Sequence, residues 1–176
     1  MKKMLVRMAV IVVAAGLAVG CCQECTDVEA NKALVRDAFD ALIAGDYDRA
    51  RELMAEDYVR HCQATEVTEM RSLDEFIQFL EADRAAFPDA TGTLDMLVAE
   101  GNMVALWGRW EGTQTGPMGP FPASGKRMSV DFAGVHRIED GKIVETWVTW
   151  DNLATLKQLG HFPPKPAEET EETAEP

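Results

Sequence analysis

The apolar residues of this chain change period near Pro88, and that switch limits the fold more than any other feature of the sequence. Before Pro88 they recur every three or four residues; after it they alternate, so helices come first and strands second. Thr26-Asp27-Val28-Glu29 has the form of a capping box. Leu34, Val35, Ala38, Phe39, Leu42 and Ile43 follow at helical spacing, predicting a helix to about Ala44 that Gly45 stops. A short second helix is expected from about Tyr47 to Met54, with Tyr58-Val59-Arg60-His61 beyond it as a brief strand or extended entry. Ser72-Leu73-Asp74-Glu75 opens a third helix whose stripe is Phe76, Ile77, Phe79 and Leu80. Thr91–Glu100, Met103–Thr113, Arg127–Glu139 and Lys142–Asp151 read as four strands, turned tightly at Gly101-Asn102 and Asp140-Gly141. The stretch 112–122 holds too much Gly and Pro to pair and must be a shaped loop. A short helix from Leu153 to Leu159 closes the domain. This order is α+β: a curved antiparallel sheet with three N-terminal helices across it, enclosing a cavity suited to a ligand.

The ends of the chain do not belong to that fold. Lys2, Lys3 and Arg7 precede an apolar run from Met8 to Gly20, the pattern of a secretory signal and too short to span a bilayer. Leu17-Ala18-Val19-Gly20-Cys21 resembles a bacterial lipobox, which implies cleavage before Cys21 and a lipid anchor on it. The expected division is a lipoprotein signal over 1–20, an anchored leader over 21–26, a domain over 27–162 and a disordered acidic tail over 163–176. Without the three basic residues of the signal, 14 Lys and Arg stand against 30 Asp and Glu, a net charge of −16. Such a surface repels nucleic acid and anionic headgroups, so the expected partners are a small hydrophobic molecule and, through lipid alone, a membrane. Cys22 and Cys25 have C-x-x-C spacing but no second pair to complete a zinc site, and Cys62 reads as a small buried hydrophobe.

Alternation places Ile143, Glu145, Trp147, Thr149 and Asp151 on one face of the last strand, and a two-residue turn at Asp140-Gly141 pairs Glu139 with Lys142. Continued outward, that register sets His136 opposite Glu145, on a face shared with Phe132, Ile138 and Trp147. A histidine and a carboxylate in an apolar, aromatic wall are what a tuned acid/base site needs; a structural ion pair on a partly solvated face is the competing reading. His61 follows the second helix, as a rim residue or a ligand to substrate. His161, near the tail, reads as incidental. The histidines lack a short-spaced metal motif, so no metal site is expected.

Several motifs in order resemble the SnoaL-like polyketide cyclases, or ester cyclases, of the nuclear transport factor two-like superfamily. They are Tyr58-Val59-Arg60-His61, Phe87-Pro88-Asp89, Gly112-Thr113-Gln114-Thr115-Gly116, Pro122 to Lys126, Asp140 to Trp147, Asp151 and Gln158-Leu159-Gly160, spread over residues 30 to 160. The resemblance implies a cone of curved sheet closed by helices, and cofactor-free intramolecular aldol closure in which an aspartate near the end of the last strand is acid/base. Asp151 matches that aspartate, His136 the strand histidine and His61 the histidine after the second helix; Gln114 stands where the family often has histidine. Trp147, Phe132 and Gln114 are the expected pocket lining. A ligand-binding lipoprotein without turnover is the alternative. A third is a homodimer or higher homo-oligomer formed through the outer sheet face, including Trp150.

Overall fold

A computed structural model describes residues 20–163, with side chains described from Val28 onward. The expected signal and the acidic tail, over 1–19 and 164–176, lie outside the described residues. Helix α1 runs Gly20–Ala44, so Thr26 to Glu29 lies within it and does not open it. Nothing from Cys21 to Val28 is a helix breaker, and the capping pattern is overridden. Helix α2 is Tyr47–Leu53, capped by Asp46, whose carboxylate accepts from Arg49 N–H at 3.0 Å. Helix α3 is Leu73–Ala86; Ser72 Oγ accepts from Glu75 N–H at 3.2 Å while the Glu75 carboxylate accepts from Arg71 N–H. Helix α4 is Asn152–Leu159.

Six strands form one curved, unclosed sheet in the order β2-β1-β6-β5-β4-β3. Strands β3 (Thr91–Glu100), β4 (Met103–Thr113), β5 (Arg127–Glu139) and β6 (Lys142–Trp150) are the antiparallel meander that alternation predicts. One strand, and the length and pairing of another, go beyond the sequence reading, which has a brief strand or extended entry over Tyr58–His61. β1 spans Met54–Cys62 and lies parallel to β6, and the two-residue β2, Glu69–Met70, pairs with its edge. The α-helices cover one face. Val35 and Ala38 of α1, Leu53 of α2 and Phe76 and Ile77 of α3 pack with Tyr58, Val104, Leu106, Ile138 and Ile143 from the strands. Cys62 is buried and, among the described residues, unbridged.

The Asp140-Gly141 turn forms with both residues at positive φ, 49° and 74°, the requirement of a type I′ hairpin. Ile138 pairs with Ile143 as the turn dictates, and then the register shifts: Arg137 pairs with Glu145 and His136 with Thr146, leaving Val144 as an extra residue in β6. A bulge reverses the parity of everything beyond it. Ile143 faces the helices, and so do Thr146 and Val148; Glu145 and Trp147 face away.

The loop after β4 seats a second, smaller core of Ala86, Phe87, Met128, Val130 and Leu159. Thr115 and Gly116 N–H both donate to the Ala86 carbonyl at the end of α3, at 2.9 and 3.1 Å. A β-carbon at Gly116 would lie 2.6 Å from the Ala85 carbonyl oxygen, so this approach requires glycine. Beyond the end of β6, the Gln158 amide occupies the free edge of β5: its Nε2 donates to the Ser129 carbonyl at 3.1 Å and its Oε1 accepts from Ser129 N–H at 2.8 Å.

Candidate active site

Three inward positions stand in register across the helix-covered face: Arg60 of β1 beside Thr146 of β6, and Thr146 beside His136 of β5. Two strand spacings separate the outer members, roughly 10 Å. Thr146 links the row. Its Oγ1 lies 2.8 Å from His136 Nδ1, and the Tyr58 phenol hydrogen-bonds to the same hydroxyl. Burial pushes the Tyr58 phenol up to about 12, so it stays a neutral hydrogen-bonding group. Burial also pushes His136 down to about 4, because an imidazolium there would lack both water and an anionic neighbour. Part of the His136 residue reaches the surface, but its Nε2 is fully enclosed and, among the described residues, has no hydrogen-bond partner. In the tautomer that donates Nδ1–H to Thr146, Nε2 presents a bare lone pair. Gly134 leaves room beside it, since a β-carbon there would stand 3.5 Å from Nε2.

Helix α3 covers the Arg60 end of the row. Phe76, Phe79 and Asp83 recur on one side of it, and the Arg60 guanidinium carbon lies 5.5 and 5.0 Å from the two ring centroids. Asp83 is pushed up to about 6 by burial, against the pull of Arg60 and then Arg84.

The expected pairing of His136 with Glu145 does not occur, because the Val144 bulge sends the two to opposite faces. Glu145 instead receives both Nε and Nη2 of Arg137, at 2.9 and 2.8 Å, and contacts His61 Nε2 at 2.8 Å. The His61 hydrogen bond first, and Arg137 after it, hold the Glu145 carboxyl below its usual range. An ionised carboxylate can only accept, so His61 Nε2 donates. His61 Nδ1 faces Glu69 at 3.4 Å, and its ring stacks on Trp147 at 5.4 Å. Trp147, expected in the interior wall, is 39% exposed and borders a shallow outer depression of about 410 Å³ with His61, Ala105, Val135 and Thr149. Trp150, expected outward, pairs with the inward-facing Phe132. The bulge has exchanged the two indoles.

Asp151 is exposed and caps α4, accepting from Ala154 N–H at 2.9 Å. It follows the Phe132–Trp150 pair, roughly 16 Å along the sheet from the His136–Thr146 pair, and does not meet that histidine. Phe132 lines the inner face, stacked on Phe39 at 6.0 Å. Gln114 is fully buried beneath the shaped loop: its Nε2 donates to the Pro122 carbonyl at 3.1 Å and its Oε1 lies 2.7 Å from His161 Nε2. His161, which sequence treats as incidental, is stacked on Phe121 and secures this loop. The structure thus separates the four candidate acid/base residues into His136 inside, a His61–Glu145 pair outside, and Asp151 at a helix cap. Sequence reasoning missed Arg60, Thr146 and Asp83. For Arg60 a signal existed, since it alternates with the inward Tyr58 and Cys62. Among the described residues, no group of three or more His, Cys, Asp or Glu gathers as a metal cage.

Residues 33–159 match the sequence profile of the SnoaL-like polyketide cyclases. Similar solved structures include IdmH of Streptomyces antibioticus, a polyketide cyclase candidate, 29% identical with a TM-score of 0.66, the match covering 74% of this chain and 98% of that one. TsrD of Streptomyces laurentii is 28% identical with a TM-score of 0.66, covering 75% of this chain and 96% of its own. A SnoaL-like protein of Jannaschia sp. CCS1 shares the fold at a TM-score of 0.70 and 23% identity, covering 77% and 95%. Among curated proteins none matches.

Proposed function

The chain belongs to the SnoaL-like polyketide cyclase family, and on that premise we propose that it performs cofactor-free acid/base chemistry on a small hydrophobic carbonyl compound, with His136 Nε2 as the base. The observation that carries this reading is the enclosed Nε2 with no partner, on a ring fixed from behind by Thr146. A buried polar atom left unpaired asks for an explanation, and a proton arriving from a ligand is one. The imidazole is neutral at pH 7 and free to accept.

In an aldol closure, Nε2 takes a proton alpha to a carbonyl, the resulting enolate carbon attacks a second carbonyl of the same molecule, and the new alkoxide recovers the proton from the imidazolium. Burial makes His136 a weak base at rest. The enolate forming beside it supplies the missing anionic neighbour and strengthens it during the transfer.

The test is exchange of the alpha protons of 1-phenylbutane-1,3-dione in D2O, followed by NMR. The protein should accelerate exchange, and His136→Asn should lower that acceleration by about 10²-fold or more. An unchanged rate in the variant rules out His136 as the base. Ligand carriage without turnover is the second reading, favoured by one observation: a hydroxyl, with no carboxylate, orients His136. It expects no acceleration by wild type. Under either reading we propose export and tethering through lipid at Cys21, supported by the basic and apolar segment before it. Cys21→Ser should then move the protein from the membrane fraction to the soluble envelope fraction, and unchanged fractionation counts against the anchor.

A further inference from the structure

We propose that Arg60 is the seat for a single negative charge on the ligand, so that the compound taken up is a small apolar carboxylic acid bearing a carbonyl group. This rests on reading the helix-covered face as a ligand chamber, and not on turnover there.

Arg60 is 4% exposed, yet among the described residues it forms no ion pair, and its Nη1 has no hydrogen-bond partner. A guanidinium out of water and without an anion is costly, and natural interiors rarely keep one without a use. Its immediate surroundings are two aromatic faces, Phe76 and Phe79, which attract a cation but cannot accept its N–H groups in the fork geometry that a carboxylate matches. Phe79 is itself only partly buried, so the cover over the guanidinium is thin.

Asp83 is the carboxyl that acts on Arg60 from the covering helix, and it does so without reaching ion-pair distance. Burial favours its protonated form, and a protonated Asp83 would donate to an incoming carboxylate where an ionised one would repel it. Across the sheet, in register through Thr146, lies the unpaired His136 Nε2. An acid held at Arg60 would extend its apolar body along Phe76 and Phe79 toward that nitrogen, where the carbonyl belongs.

The experiment compares decanoate with methyl decanoate, equal in chain and different in charge, by isothermal titration calorimetry at pH 5.5, where Asp83 is largely protonated and the acid largely ionised, and at submicellar concentration. Wild type should bind the acid tighter by on the order of tenfold or more, the worth of a charge-assisted hydrogen bond. Arg60→Met should bind both probes alike, and it should melt no lower than wild type, because an unpaired buried charge has been replaced by apolar volume. Equal binding by wild type, binding of neither probe, or a preserved preference in Arg60→Met overturns the proposal. If Arg60→Met does not fold, Arg60→Gln carries the same comparison. A preference for acid with no exchange catalysis removes the aldol reading alone; exchange that depends on His136 without an acid preference removes this inference alone.

Discussion

On the outer face of β6, Glu145 is surrounded by partners: Arg137 in two contacts, His61 in a third, with Glu69 behind the imidazole. One residue along the same strand and on the other face, Thr146 serves His136 and Tyr58, while the far nitrogen of that histidine and Nη1 of the neighbouring Arg60 go unsatisfied among the described residues. The outer group consists of residue types that suggest catalysis, yet each charge there already has its complement and access to water. The inner group looks plainer in sequence and holds the unspent hydrogen-bonding capacity. The difference teaches that residue identity marks a candidate site less well than the balance of satisfied and unsatisfied groups does.

The sharpest way to break this contrast is to exchange the two side chains. Glu145→Thr combined with Thr146→Glu puts the carboxylate inward, opposite His136, and the hydroxyl outward. Burying that carboxylate away from Arg137 and His61 should cost about 4 kcal/mol or more, read as a collapse of the urea midpoint, or prevent folding. A variant of wild-type stability would show that the two faces are interchangeable.

Acid separates the faces next. The folded pKa of His136 lies at about 4 against 6.5 for the model imidazole, so the stability its neutral form contributes is complete above pH 6.5 and lost as pH falls toward 4. Asp83 opposes it over nearly the same window: raised to about 6 from 3.8, it favours folding below its unfolded value and loses that contribution as pH rises through 6. His136→Phe removes one of the two. Its stability relative to wild type should therefore improve by about 3 kcal/mol between pH 7 and pH 4, measured by urea unfolding at each pH. A pH-independent difference would mean that the ring is solvated.

Thr146→Val leaves both the Tyr58 phenol and His136 Nδ1 without their shared hydroxyl and should destabilise by about 2 kcal/mol. Glu145→Gln, on the solvated side, should cost about 1 kcal/mol or less by the same measurement. Reversal of that order would place the more demanding polar cluster on the outer face.

How far the sequence can be read follows from the range of each signal. Strands β3, β4 and β5 begin and end where alternation and turn residues say, and the α3 cap is readable in Ser72 and Glu75. These are local choices. The Asp140-Gly141 turn correctly fixes Ile138 against Ile143, but Val144 has the β-branched character of any strand residue, so nothing in its chemistry announces a bulge. That single extra residue inverts the assignments of Glu145, Trp147 and Trp150 together. The parallel pairing of β1 with β6 joins segments nearly ninety residues apart and leaves no periodic trace. Asp151 illustrates a different ambiguity: an aspartate before a helix satisfies the rule for a cap as well as the pattern of a catalytic family, and its observed bond is the cap.

The contact between Gln158 and Ser129 has a consequence for how this protein keeps to itself. Where β6 stops, β5 continues with a bare edge, the kind of template on which a second chain can add a strand. One glutamine amide mimics a peptide group there, with donor and acceptor set to the ladder's own spacing, and so withholds that rung from strangers. The terminal helix is therefore a guard against misassociation as well as a lid on the smaller core, and its loss would be felt first in aggregation and only later in melting.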